Sequence, residues 1–597
     1  MSNRLVIAMA TALLTAAGSA SAQTAPAPAA APPAWVARSN ADAQVVLDTI
    51  ARFNPEFASQ IGIPGYDDKV IDLKPNIDAR SRAALVEAKG KLEKMLATEH
   101  DANVQQDLHI MINAVDQQVE GIDLNAKYLL PVQDIGQVIF GGEFNLLKEG
   151  VDAKRHPAAL ARLQCYIGKA PGCTPITQLA EAQTTERLGN KTLLGPYKGQ
   201  LDQQLDNTSH YVDGLRDLFA KNKLDSAEGK AALDTLAQQL KDYDGWIRST
   251  VVPHERTDFR MPEPLYAYTL KQVGIDIPPQ ELMKQAELEF VEMRGAMQMM
   301  APVVAKAEGI NATGYQAVFQ ALKKQQLPKD QVMPWYHDVL SKIEATIRRE
   351  RIVTLPQRPM KMRLASDAEN AQIPAPHMDP PPFLNNHGEQ GTFVLSTGHP
   401  ANKGDNSQSY DDFTFKAAAW TLTSHEGRPG HELQFSAMVE HGVSLARSLF
   451  AFNSVNVEGW ALYSESEMLP YEPPAGQFAA LQARMMRAAR AYLDPMLNLG
   501  LITKERAKDV LVHDVGLSEP MAREEIDRYT FNSPGQAASY FYGYMRIQQL
   551  RLETELALGP KFDRMAFNDF LIGQGLLPPA QLAEAVRTQF IPTQQKR

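Results

Sequence analysis

The stretch that leaves this chain the fewest ways to fold is Ser424-His425-Glu426-Gly427-Arg428-Pro429-Gly430-His431-Glu432-Leu433-Gln434. Two imidazoles and an adjacent carboxylate are the makings of a zinc site. In an HExxH helix, histidines four residues apart project from one face to hold Zn²⁺ while the neighbouring Glu activates a water. Here His425 and His431 are six apart, which on an unbroken helix turns them by about 240° onto different faces. A regular helix therefore cannot bring them together. If Pro429 and Gly430 are extruded as a step, His-Glu-Gly-Arg-His remains, which is HExxH with two residues inserted. Proline lacks the amide hydrogen and clashes with the preceding turn, and glycine tolerates unusual φ, so the pair marks a helix interruption. Without that step the histidines are surface residues facing opposite ways.

Two later segments, Glu458-Gly459-Trp460-Ala461-Leu462-Tyr463 and Pro534-Gly535-Gln536-Ala537-x-x-Tyr540-x-x-Gly543, follow in order. Together with His425-Glu426-x-x-Pro429-Gly430-His431-x-x-Gln434 they resemble the bacterial family known as domain of unknown function 885. The resemblance runs from about residue 40 to the C-terminus and is strongest after Tyr410. Members of that family resemble zinc metallopeptidases of the gluzincin type, in which a later Glu completes the metal triad. The resemblance implies His425, His431 and Glu458 as zinc ligands and Glu426 as the general base that takes the water's proton and passes it to the leaving amine. Glu432 is the competing carboxylate and lacks the family match. Glu465, two turns beyond Glu458, either orients a histidine or belongs to a solvated helix face. Where members commonly carry a His four residues after an Asp matching Asp494, this chain has Asn498, a departure that bears on substrate contact and favours a binding protein with a degenerate site.

Amide hydrolysis also needs a donor for the developing oxyanion, and a phenol can provide it. Tyr540 is the candidate and Tyr542 the near alternative, with core packing the other reading of both. Arg528 and Arg546 flank this segment and are suited to clamp a substrate carboxylate bidentately, or to serve as structural ion-pair partners.

The N-terminus reads as export. Met1-Ser2-Asn3-Arg4, an apolar run from Leu5 to Ala17 and Ala20-Ser21-Ala22 form a secretory signal over residues 1–22 with an A-x-A cleavage site. The run is too short to span a bilayer and nothing later approaches 18 uninterrupted apolar residues, so the expectation is a periplasmic or secreted protein with no stable membrane anchor, an uncleaved anchor being the alternative. An Ala/Pro-rich leader occupies 23–34. A net charge of -10, with both signs interspersed, offers no footprint for nucleic acid or anionic lipid. Cys165 and Cys173 face each other across Lys169-Ala170-Pro171-Gly172, a turn that suits a local disulfide in an oxidising compartment.

Apolar residues recur at three- and four-residue intervals over Ala41 to Phe53, Arg80 to Thr98, Gln105 to Val119, Leu201 to Phe219, Ser226 to Ile247 and Pro279 to Val304, each an amphipathic helix. Residues 35–597 are therefore expected to form one large, mainly α catalytic domain of two lobes, roughly 35–270 and 271–597, which the family resemblance makes metallopeptidase-like. The Pro-rich stretch Leu364 to Asn386 reads as an ordered surface loop. Gly391 to Thr397 is the clearest strand; it is expected beside the active-site cleft, either as an edge to which a peptide adds as another strand or as a structural hairpin. Asp411 to Glu426 and Phe435 to Val443 read as helices, and Glu458 as the start of another.

The expected activity is zinc-dependent hydrolysis of amide bonds in short peptides, with a carboxypeptidase-like preference resting only on the arginines. The alternatives are a zinc amidase acting on modified amino-acid amides and a non-catalytic peptide-binding protein.

Overall fold

The six stretches with helical spacing all form helices in the computed structural model of the chain, which describes residues 33–148, 151–365, 370, 373, 375–384, 386, 388–396 and 410–596. They fall on Ala34–Phe53, Ile77–Leu96, Ala102–Tyr128, Lys198–Lys221, Ala227–Trp246 and Pro279–Glu308, with Arg80 to Thr98 running two residues past the end of its helix and Ser226 to Ile247 one residue past each end of its own. Side chains mark several starts: Asp101 accepts from the Asn103 amide, Asp134 from Gln137 and Ser226 from Gly229, each satisfying a donor that a helix leaves open. No described helix is long and apolar enough to cross a membrane. The expected signal segment and all but the end of the leader lie outside the described residues.

The chain divides into two compact units. The first comprises Ala34–Leu265 and Pro382–Glu389. Its core gathers Ile139, Phe144, Leu163, Leu215, Phe219 and Leu236 from successive helices. Cys165 and Cys173 are bonded, with Cα atoms 5.2 Å apart, so the turn between them closes as the sequence suggests.

The second unit runs from Tyr266 to Pro381 and from Gln390 onward. The long helices Pro279–Glu308 and Pro474–Asn498 pack along each other, and Ser454–Met468 packs against Ser539–Leu558. That second pair meets backbone to backbone. A Cβ on Gly459 would lie 2.5 Å from the Gly543 carbonyl carbon, and one on Gly543 would overlap the Val455 carbonyl oxygen. The two motif glycines thus let Glu458 and Tyr540, each within a turn of the crossing, approach one another.

A small sheet of β1 (Lys361–Leu364), β2 (His377–Asp379) and β3 (Thr392–Leu395) has the order β1-β3-β2, with β3 parallel to β1 and antiparallel to β2. This corrects the expectation of an edge at Gly391 to Thr397. Phe393, Val394 and Leu395 are all buried, β3 is paired on both sides, and no peptide can add to it. A strand apolar on both faces suits the middle of a sheet; Thr397 itself lies outside the described residues. The Pro-rich stretch is likewise not all loop, since β2 lies within it.

The helix expected from Asp411 begins only at Ala418. Before it, Phe415 forms a bridge to Gln326, while Asp412 accepts from buried Lys323 at 2.8 Å and from the Ser518 hydroxyl at 2.6 Å, contacts an early helix would break. The two helices around the later ligands start sooner than expected, at His431 and at Ser454, the second capped by Asn453.

Candidate metal centre

The step between the histidines is built as its residues require. Helix Ala418–Leu422 widens into a π-helical turn over Thr423–Gly427, a cis Arg428–Pro429 peptide follows, and a new helix, His431–Glu440, begins after Gly430. A Cβ on Gly430 would overlap the carbonyl oxygens of His425 and Ser424, so only glycine fits there. Trp460 donates its indole N–H to the Pro429 carbonyl at 3.0 Å. Buried Arg428 clamps the step to its surroundings through Glu432 (2.9 Å), Glu344 (2.5 Å) and the Arg358 carbonyl (3.2 Å). The outcome is that the two imidazole rings lie 4.8 Å apart and nearly perpendicular.

Glu458 completes the group. Its Oε2 lies 3.5 Å from His425 Nε2 and 3.3 Å from His431 Nε2, and it is buried with no hydrogen-bond partner. Ligands 2.0 to 2.1 Å from a tetrahedral zinc stand about 3.3 Å from one another, so these separations suit a single ion. The donor set of two nitrogens and one carboxylate is also one that zinc accepts, with a fourth position left open. Among the described residues no other His, Cys, Asp and Glu side chains converge in this way.

The surroundings orient the first histidine. Nδ1 of His425 is 2.7 Å from Glu465 Oε1; a carboxylate only accepts, so Nδ1 carries the hydrogen and Nε2 presents its lone pair. Glu465 is fixed in turn by the Thr421 hydroxyl and by Arg487 at 3.3 Å. His431 Nδ1 is buried without such a partner. Burial disfavours charge throughout the site, but the histidines hold the Glu458 carboxyl well below its usual range. Burial acts against protonated His425 as well, and Glu458 and Glu465 outweigh it, raising the ring to about 9.

Glu426 Oε1 is 3.9 Å from His425 Nε2 and lines a cavity together with His425, Tyr540 and Arg528. Burial raises its carboxyl, with the two histidines pulling the other way. Tyr540 stacks on His425, ring centroids 6.0 Å apart at 12°, and its hydroxyl accepts from Arg528 at 3.1 Å. Burial, helped by Glu458, raises its phenol further, which keeps the O–H available as a donor.

Other expected residues go elsewhere. Tyr542 and Arg546 close on Asp276, Tyr542 donating to it and Arg546 reaching it at 3.2 Å, and neither lines the cavity. Two residues after Tyr540 on one helix is a turn of about 200°, which places Tyr542 on the other side. Glu432 is no rival base: it is wholly buried and held by Arg428, Arg358 and Ser436. Asn498 is buried too, its amide donating to the carbonyls of Asp494 and Tyr529 at 2.9 and 3.0 Å. It does not line the cavity.

Sequence reasoning missed Arg487, Arg490 and Glu525 in the cavity wall. Arg490 grips Glu525 at 2.8 and 2.6 Å. A signal was present: Arg484, Arg487 and Arg490 recur every third residue among alanines and methionines, a charged row on a helix otherwise suited to burial.

No curated protein matches the sequence. The fold is similar to that of a provisionally assigned lipoprotein of unknown function from Shewanella oneidensis, at a TM-score of 0.74 and 19% identity over 93% of this chain and 100% of that one. A second provisionally assigned lipoprotein, from Colwellia psychrerythraea, gives 0.73 and 18% over 93% and 99%. At these identities the likeness is one of fold. The family described as bacterial protein of unknown function (DUF885) matches residues 55–586, the three motifs and the metal-type triad all fall inside that span, and the chain belongs to this family.

Proposed function

We propose that this protein is a zinc-dependent hydrolase of amide bonds in short peptides, acting outside the cytoplasm. The observation that carries the reading is the meeting of His425 Nε2 and His431 Nε2 on a buried, otherwise unpartnered Glu458 oxygen, beside a cavity lined by His425, Glu426 and Tyr540. The gluzincin likeness of the motifs supports the same chemistry, and the signal-like N-terminus with the two lipoprotein neighbours supports the location.

His425, His431 and Glu458 would hold the ion. When bound, zinc supplies the Lewis acidity that lets a water lose its proton near neutral pH and polarises an amide carbonyl. Glu426 then takes the water's proton and returns it to the leaving amine, a role that suits a carboxyl raised toward neutrality by burial. Tyr540 donates its O–H to the oxygen on which charge develops, and Arg528 holds the phenol oxygen by donating to it. Glu465 keeps the His425 ring from turning.

Purified protein should contain about one zinc per chain and cleave members of a mixed short-peptide library, and a chelator should remove both. Zinc at that ratio with no cleaved peptide would sink the hydrolase reading, and protein that takes up no zinc would sink the metal site itself.

A further inference from the structure

Three guanidiniums border the cavity together with the carboxyls of Glu426, Glu524 and Glu525, and Arg528 is the one without a carboxylate of its own. Arg490 donates to both oxygens of Glu525 through Nε and Nη2, and Arg528 Nη1 shares that same carboxylate at 3.4 Å. Arg487 pairs at 3.3 Å with Glu465, which His425 also claims. The remaining partners of Arg528 are the uncharged oxygens of Gln536 and Tyr540. Glu524, on the same wall, accepts from the Tyr410 hydroxyl at 3.0 Å, and burial next to Glu525 lifts its carboxyl to about 7, so it supplies only part of a charge. A largely buried cation that shares its carboxylate with another arginine has no full counter-charge, and the planar fork of Arg is shaped for a carboxylate. Much of the remaining lining is apolar, including Phe319, Phe415, Met486 and Met521.

Resting on the hydrolase reading, we infer that this cavity receives the last residue of a peptide, with its free carboxylate on Arg528 and an apolar side chain against Phe319, Phe415 and Met486. The substrates are then peptides with a free, apolar C-terminal residue. Water adds across the final peptide bond, its hydroxyl going to the carbonyl carbon and its proton to the departing amine, and one amino acid leaves.

The test uses the full, zinc-loaded chain and reads binding separately from turnover. By calorimetry, N-acetylphenylalanine should bind about 10- to 100-fold more tightly than N-acetylphenylalaninamide, the range expected for a charge-assisted pair, and more tightly than N-acetyllysine. Arg528→Gln should bring the acid down to the amide, and Arg528→Lys should restore part of the gap. Equal affinity for acid and amide in the unaltered protein overturns the inference. So does an acid preference that survives in Arg528→Gln, since that carboxylate would be held by the metal. Turnover of benzyloxycarbonyl-glycyl-phenylalanine and its amide tells the two readings apart. Acid and amide cleaved alike remove the carboxylate site and leave the hydrolase, whereas an Arg528-dependent binding preference without cleavage removes the hydrolase and leaves the carboxylate site.

Discussion

Each unit buries a cluster of carboxylates, and the two clusters have opposite characters. In the first unit Glu56 accepts from the Tyr166 hydroxyl and the Ile71 amide, both at 2.8 Å. Among the described residues, Arg162 donates to the carbonyls of Gly142 and Tyr66, and Glu143 has no partner for either oxygen. Burial drives Glu143 well above the usual carboxyl range, with Arg162 opposing and Glu56 adding to the rise, and the packing is close enough that a methyl group on Gly142 would overlap the Tyr166 hydroxyl. In the second unit, burial is just as complete, yet Glu458 and Glu465 are both held below their usual range by His425, His431 and Arg487. The lesson is that burial alone turns a carboxyl into a neutral group. Imidazoles converging on it keep it charged, and a charged carboxylate flanked by two imidazole nitrogens is what a cation needs.

The difference breaks most completely at the histidines. His431→Ala should reduce zinc from about one per chain to near zero, measured by atomic emission after dialysis. Gly430→Ala should do the same without touching a ligand, because its Cβ overlaps the carbonyls that the step must pass. Full zinc in either variant would show that the step does not make the site.

Next in size is Glu426→Gln. The amide keeps the shape but cannot take a proton, so turnover on a cleaved peptide should fall by about 10²- to 10⁴-fold with zinc content unchanged. Loss of zinc instead would make Glu426 a ligand. Smaller again is Glu465→Gln, which should weaken zinc binding by about tenfold or more, read by competition with a chromogenic chelator; an unchanged affinity would reduce Glu465 to a packing role.

In the first unit the effects are on stability. Replacing both cysteines with serine should cost about 2 to 3 kcal/mol, the value for so short a loop in the chain-entropy model, and a denaturant midpoint that does not move would rule this out. The smallest effect belongs to Glu143. Its folded pKa lies above the unfolded value of about 4.3, so the folded protein keeps a proton that the unfolded chain releases, and stability declines as pH rises from there through the folded value. Glu143→Gln should remove that part of the decline, gaining thermal stability at pH 8 relative to pH 4.5, whereas equal shifts at the two pH values would mean that Glu143 titrates normally.

Much of the fold is legible in the sequence. Helical spacing located the long helices, two cysteines eight positions apart located a disulfide, and a Pro-Gly pair between two histidines called for a break in the helix. Each is a local rule, because pitch, loop closure and the shapes of proline and glycine act within a few residues. The choice among carboxylates was not local. Glu432 and Glu426 each follow a histidine, and only packing shows that Arg358 and Arg428 hold the first while the second opens to the cavity. The same holds for Tyr540 against Tyr542 and for the row of arginines, whose free or spent charge depends on Glu465 and Glu525 in other helices. The strand at Thr392–Leu395 carries its apolar pattern in the sequence, but its place in the middle of the sheet depends on β1 and β2 arriving from either side. Convergence of three side chains from three helices on one point has no periodicity to announce it, since it is set by where the helices cross, and here that crossing depends on two glycines 84 positions apart, Gly459 and Gly543.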